Sequence, residues 1–278
     1  MSGRIRIGTS GYSFPDWRGT VYPRGVPAAR WLVYYAQDLG FDCVEINAIY
    51  YRPLLARTYA GMATATPADF RFTIKGHRGF THDPFDPRLA ARPDTAAALA
   101  AAGAFAATLD PLRAAGKLAA VLLQFPVMVT PSPVLHDYLR RLREAFPDDR
   151  LVIEFRHRDW ATAEQLAFLR AAGLAYCAVD EPPLPQLMPL QPVVTAAPGY
   201  LRLHGRNRNW FNAARELRYD YDYSPAELQA LLPAVRTLAD DSDEVFVFFN
   251  NCHLGKAARN ARALQDLLGI VRPPATLF

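Results

Sequence analysis

Leu118-Ala-Ala-Val-Leu-Leu-Gln-Phe125, then Pro133 to Ala145, then Leu151-Val-Ile-Glu-Phe-Arg156, then Thr162 to Ala171, then Leu174-Ala-Tyr-Cys-Ala-Val179 form one stretch whose alternation decides the fold. The three short runs are aliphatic on both faces, as in strands covered by helices on each side, and the segments between them carry helical periodicity. Strand, helix, strand, helix, strand is the grammar of a parallel sheet. The punctuation agrees. Thr162 with Gln165 reads as a capping box, and Gly173 suits a left-handed helix stop.

The same alternation continues outward in both directions. Further strands are expected at Arg4 to Thr9, Cys43 to Asn47, Phe70 to Lys75, Tyr200 to His204 and Val245 to Asn250. Helices are expected at Ala28 to Leu39, Leu54 to Met62, Thr95 to Ala115, Pro225 to Leu238 and Lys256 to Leu268, with a second capping box at Ser224 and Glu227 and a second stop at Gly269. Eight such units in 278 residues suit an α/β fold, a single TIM-like (β/α)8 barrel domain over residues 1–278, since such barrels run to about 250 residues. The prolines from Pro182 to Pro198 predict an irregular connection between strands six and seven. A doubly wound sheet would need a glycine-rich first turn, and Gly8-Thr-Ser-Gly11 lacks that spacing.

Composition narrows the function classes. With 51% hydrophobic and 21% charged residues, a mean hydropathy of -0.05 and no run of eighteen apolar residues, the chain is neither disordered nor bilayer-spanning, and no membrane partner is expected. The opening Met1-Ser-Gly-Arg-Ile-Arg6 shows no charged-then-apolar leader, so the expected location is cytoplasmic. Cys43, Cys177 and Cys252 lie in or beside apolar runs and read as reduced core thiols, not as a zinc or redox pair. The net charge of +4 and pI near 9.0 invite a nucleic-acid partner. The invitation is slight, because arginine dominates and is spread along the chain, with lysine only at 75, 117 and 256.

In a barrel, side chains at the C-terminal strand ends converge on one mouth. Those ends carry Tyr12 after strand one, Glu45 and Asn47, Lys75 with His82 beyond it, Gln124, Glu154 and Arg156, Asp180, Arg202 with His204 and Arg206, and Asn250-Asn251. Alternation puts Glu45 with Asn47, Glu154 with Arg156, and Arg202 with His204 on shared faces. Unpaired charge inside a barrel is costly, so these groups either pair with one another as a structural ion cluster or are wetted at the mouth. Counted at the strand ends, Lys75, Arg156, Arg202 and Arg206 exceed Glu45, Glu154 and Asp180, which predicts a mouth that attracts anions through arginine forks. The last helix, entered through Asn250 to Lys256, offers amides suited to an anion. Aromatic residues, Tyr12, Phe14, Trp17, Tyr22, Tyr50, Tyr51, Trp160, Trp210, Phe211, Tyr219, Tyr221 and Tyr223, stand in the same loops, where they either stack on a sugar or base or pack the loops.

Gly8-Thr-Ser-Gly-Tyr-Ser-Phe-Pro-Asp-Trp-Arg-Gly19, Val44-Glu-Ile-Asn47, Phe70 to Lys75, Thr81-His82, Gln124-Phe-Pro126, Glu154-Phe-Arg156 with Trp160, Arg202-Leu-His-Gly-Arg206 and Phe249-Asn-Asn251 together resemble the YecE-like family, domain of unknown function 72. The resemblance runs from Arg4 to about Leu268 and implies a single TIM-like barrel without naming a reaction. That family's barrel is similar to those of endonuclease IV and xylose isomerase. This chain departs from both: six histidines are few for a zinc nuclease, and strands five to eight offer Glu154, Asp180, His204 and Asn250 where an isomerase would present four carboxylates. No motif requires a cofactor, and a divalent metal has only that weak ligand set. The leading expectation is an enzyme, a hydrolase or lyase, acting on an anionic small molecule or nucleotide. In it Glu45, Glu154, His82 and His204 move protons, while Asn47, Lys75, Arg156, Arg202, Arg206, Asn250, Asn251, Tyr12 and Trp160 bind the ligand. Two alternatives stay open: a nucleic-acid-binding protein or endonuclease IV-like repair nuclease, and a non-catalytic adaptor docking through its aromatic loops.

Overall fold

The computed structural model describes residues 2–48, 54–90, 94–209 and 219–271. Tyr50, Tyr51, Trp210 and Phe211, expected on the rim, lie outside the described residues. Eight parallel strands are hydrogen-bonded in the order β1-β8-β7-β6-β5-β4-β3-β2. They are β1 (Arg4–Thr9), β2 (Cys43–Ile46), β3 (Arg71–Lys75), β4 (Leu118–Gln124), β5 (Leu151–Glu154), β6 (Ala175–Asp180), β7 (Gly199–Leu203) and β8 (Glu244–Phe249). A parallel bridge between Ser10 and Glu45 joins the outer strands, so the sheet is a nearly closed barrel. Helices α1 (Trp31–Gln37), α2 (Ala56–Thr64), α3 (Thr95–Ala107), α4 (Asp110–Ala114), α5 (Pro133–Glu144), α6 (Ala163–Ala171), α7 (Pro225–Asp240) and α8 (Lys256–Leu267) lie between the strands in sequence and after the last. The strand interiors are buried, β2, β5, β6 and β7 along their whole length, as the two-sided apolar runs require.

Three local expectations are corrected. The helix expected from Thr95 to Ala115 is two, α3 and α4, because Pro111 has no amide to continue the ladder and the Thr108 hydroxyl donates to the Phe105 carbonyl at the break. The helix expected from Ala28 begins as a 3-10 turn and becomes α-helical only at Trp31. The capping box at Thr162 is half formed: Thr162 accepts from the Gln165 amide, while the Gln165 side chain meets His136 Nε2 at 2.7 Å instead of turning back. The Ser224 and Glu227 box is complete. The proline-rich stretch between β6 and β7 is irregular, as expected.

The two barrel ends differ in charge placement. At the N-terminal end Arg6, 2% exposed, is clamped by Asp42, Asp69 and Glu244 at 2.6, 3.0 and 2.7 Å. That plug closes the end which in such barrels carries stability, and the polar residues of the other end form the candidate site.

Candidate active site

The site grows from the last residues of the strands. Arg202, fourth of the five residues of β7, points into the barrel and is 1% exposed. Its Nη1 donates to Glu154 Oε2 at 2.5 Å and its Nη2 to Glu45 Oε1 at 2.6 Å, so one guanidinium spans strands two and five. Tyr200, two residues earlier on the same face, donates its hydroxyl to Glu45 Oε2 at 2.8 Å. Arg156, just beyond β5, reaches Glu154 Oε1 at 2.6 Å and Glu181 Oε2 at 2.6 Å. Glu181, which also accepts from the Met188 amide, was not among the expected site residues. Alternation gave the signal: Glu181 is in phase with Cys177 and Val179, whereas Asp180 faces the other way.

Glu181 changes the charge count. The inner cluster sets Lys75, Arg156 and Arg202 against Glu45, Glu154 and Glu181. The cationic excess counted along the sequence is therefore cancelled in the inner ring. The protonation equilibria divide: neighbouring carboxylates hold Arg156 and Arg202 above their usual values against the pull of burial, whereas four other groups at this end are lowered. Burial, followed by the repulsion of Arg202, lowers the Lys75 ammonium to about 7. Burial and Lys75 lower His82 to about 3. Burial, then Arg156, holds His204 neutral with its value well below the usual one. For Glu154, burial works upward, but Arg156 and Arg202 overcome it and hold the carboxyl well below the carboxylate range. Glu181 runs the other way, raised by burial despite Arg156.

A chain of polar contacts leads away from Lys75. Its Nζ donates to Gln124 Oε1 at 2.9 Å, which fixes the amide and turns Gln124 Nε2 toward the Phe125 carbonyl at 2.9 Å and His82 Nε2 at 3.5 Å. His82 Nε2 is then the acceptor, and its Nδ1 proton points at Thr81 Oγ1, 2.9 Å away. On the opposite side, Asn250 Nδ2 sits 3.0 Å from His204 Nδ1, and His204 Nε2 lies 3.2 Å from Glu154 Oε1. Arg156 Nη2, which can only donate, also lies 3.1 Å from His204 Nε2, so the neutral ring sits between the Arg156 guanidinium, the Glu154 carboxylate and the Asn250 amide.

The expected residues therefore separate into groups. Glu45, Lys75, Glu154, Arg156, Arg202, His204 and Asn250 are brought into one cluster, with His82 attached through Gln124. Asn47 and Tyr12 line an adjoining cavity. Arg206 does not join: both Asp180 oxygens hold its guanidinium, at 2.8 to 3.1 Å, and Glu227 lies 3.5 Å away. It stacks on Tyr223, whose hydroxyl donates to Asp180. Gly205 permits this loop, because at its φ of 87° a Cβ would stand 2.4 Å from Tyr221 Cβ.

Asn251, Trp160 and the metal set need correction. Asn251 is fully buried and ties the Tyr221 carbonyl to Asn260, so it braces a loop. Trp160 is buried too, stacked 3.6 Å from Phe155 with its Nε1 on the Val129 carbonyl, and packs a loop out of a ligand's reach. Trp17, Tyr22 and Tyr223 are likewise buried, which takes rings away from the docking surface an adaptor would need. At the start of α8, Lys256 pairs with Asp220. Asp180 is held by Arg206 and Tyr223, apart from the touching pair Glu154 and His204. Among the described residues no group of three His, Cys, Asp or Glu side chains is placed to hold a metal ion. No helix among them is long and apolar enough to cross a membrane.

Comparison with known proteins gives the lineage. The chain is 30% identical to the UPF0759 protein YunF of Bacillus subtilis (strain 168), over 96% of this chain and 95% of that one. The crystal structure of a DUF72 family protein from Thermotoga maritima MSB8 superposes with a TM-score of 0.85 at 38% identity, covering 96% and 99% of the two chains. D-psicose 3-epimerase from Clostridium cellulolyticum H10, solved with D-tagatose, matches 97% of each chain at 12% identity and a TM-score of 0.52, a likeness of fold. Residues 6–276 match the family described as "Protein of unknown function DUF72". With the sequence motifs, the barrel and these relatives in agreement, the chain belongs to the DUF72 family, whose YecE-like members its motifs resemble.

Proposed function

We propose that this protein is an enzyme that binds a small anionic molecule at the C-terminal mouth of its barrel and moves a proton through Lys75. The observation that carries this reading is the convergence of Lys75, Glu154, Arg156, His204 and Asn250, from strands three, five, seven and eight, on one end of the barrel. Active sites in this fold occupy that end. Lys75 exchanges its proton near neutrality, where a general base or acid works best. Arg156 and Arg202, which keep Glu154 ionised against its burial, supply the positive field an arriving anion meets. In this reading Lys75 and Arg156 meet the ligand's charge, Asn47 and Asn250 orient it, and Arg202 positions Glu45 and Glu154. Proton abstraction of the lyase type fits these groups. The whole chain acts as one domain, and a cytoplasmic setting goes with Cys43, Cys177 and Cys252 being free and buried.

Thermal-shift screening of phosphorylated metabolites, carboxylates and nucleotides beside neutral sugars tests the proposal. At least one anion raises the melting temperature, and Lys75→Met, folded by circular dichroism, loses the shift. No response to any anion from the folded wild type, or an undiminished response from the variant, rejects it.

A further inference from the structure

A cavity of about 510 Å³ opens beside the ion cluster, against the ends of β1, β2 and β8. Its volume is that of a small-molecule site, for which about 300 to 1,000 Å³ is usual. Tyr12, Phe14, Met62 and Tyr219 make its walls largely apolar. Two of its lining residues belong to the cluster: Ser10, whose Oγ is 3.4 Å from Arg202, and Asn250, which holds His204. A third, Asn47, donates Nδ2 to the Ser10 carbonyl at 3.3 Å, and that bond fixes which end of its amide is the oxygen. Asn47 Oδ1 is buried and has no hydrogen-bond partner among the described residues. Such an acceptor is uncommon in a folded protein and is the sort of group a ligand completes.

We propose that this cavity is the subsite for an apolar ring bearing a hydroxyl or N–H donor, so that the substrate is an amphipathic anion: charge toward Lys75 and Arg156, ring between Tyr12, Phe14 and Tyr219, donor on Asn47 Oδ1. The inference rests on the anionic mouth proposed above and specifies the rest of the molecule. A ring in an apolar cleft gains from burial, and its donor gains a bond shielded from water.

Titration calorimetry with inorganic phosphate, phenyl phosphate, 4-hydroxyphenyl phosphate and neutral phenol separates the two ideas. Phenyl phosphate binds at least tenfold more tightly than inorganic phosphate, and the added hydroxyl contributes about tenfold more, equal to one neutral hydrogen bond. Asn47→Leu abolishes the hydroxyl's contribution. Ala48→Trp, a change at an exposed residue of the cavity wall, abolishes the ring's contribution while inorganic phosphate binds as before. If inorganic phosphate binds and the ring adds nothing, the subsite is overturned and the proposed function stands. If phenol binds the wild type, fails to bind Ala48→Trp, and no phosphate binds, the ring subsite stands and the anionic mouth falls. Absence of all binding overturns both.

Discussion

Replacing Arg202 with methionine lowers the unfolding free energy by about 3 to 5 kcal/mol, the usual consequence of removing one partner from a buried ion pair. The guanidinium donates to both Glu45 and Glu154, and all three side chains are at most 1% exposed. Without it Glu154 keeps Arg156, while Glu45 loses its guanidinium partner and keeps the Tyr200 hydroxyl and the neighbouring charge of Lys75. A buried carboxylate so left takes up a proton or admits water. Glu45→Gln combined with Arg202→Met therefore loses less than the two single changes added together, because the second substitution removes the charge that the first would strand. Urea unfolding of the four proteins measures this. A loss below about 1 kcal/mol for Arg202→Met, the range of an exposed pair, would contradict the burial described here.

Acid destabilises the protein through the same groups, and His82 isolates one share. Its value is lowered from 6.5 to about 3 in the folded state, so between those limits the unfolded chain binds more protons. Stability therefore rises with pH across that window and falls as the solution is acidified below 6.5. At pH 5 the His82 share of the loss is about 2 kcal/mol. His204 and Glu154, both lowered, add to the loss in the same direction. His82→Gln keeps those two and removes only its own part, so its stability declines by about 2 kcal/mol less than the wild type's between pH 7 and pH 5. Equal declines in denaturant titrations at the two pH values would show that His82 is not held neutral by its surroundings.

Much of the fold was legible because two-sided apolar strands and periodic helices alternate so regularly. Each of the eight strands begins or ends within two residues of its expected limits. The broken helix at Thr108 was hidden by an alanine-rich stretch whose composition favours continuity and whose single proline stops it. Pair spacing found Glu45, Glu154, Arg156, Arg202 and His204, because alternation is a local rule that tertiary packing does not alter. Glu181 and Tyr200 obey the same rule and were missed. Glu181 hides at the edge of the proline-rich connection, and Tyr200 reads as one more apolar strand residue. Trp160, Asn251 and Arg206 were misplaced because sequence says that a loop residue lies near a mouth but not which way its side chain turns. Trp160 has Phe155 to stack on, Asn251 has Asn260, and Arg206 has Asp180.

The protonation of Lys75 tests the account most directly. With only three lysines in the chain, heteronuclear NMR of labelled side chains resolves Lys75 from Lys117 and Lys256 by comparison with Lys75→Met. Lys75 is expected to titrate near pH 7, displaced upward when phosphate occupies the mouth. A midpoint near the ordinary 10.5, unmoved by any anion, would contradict it.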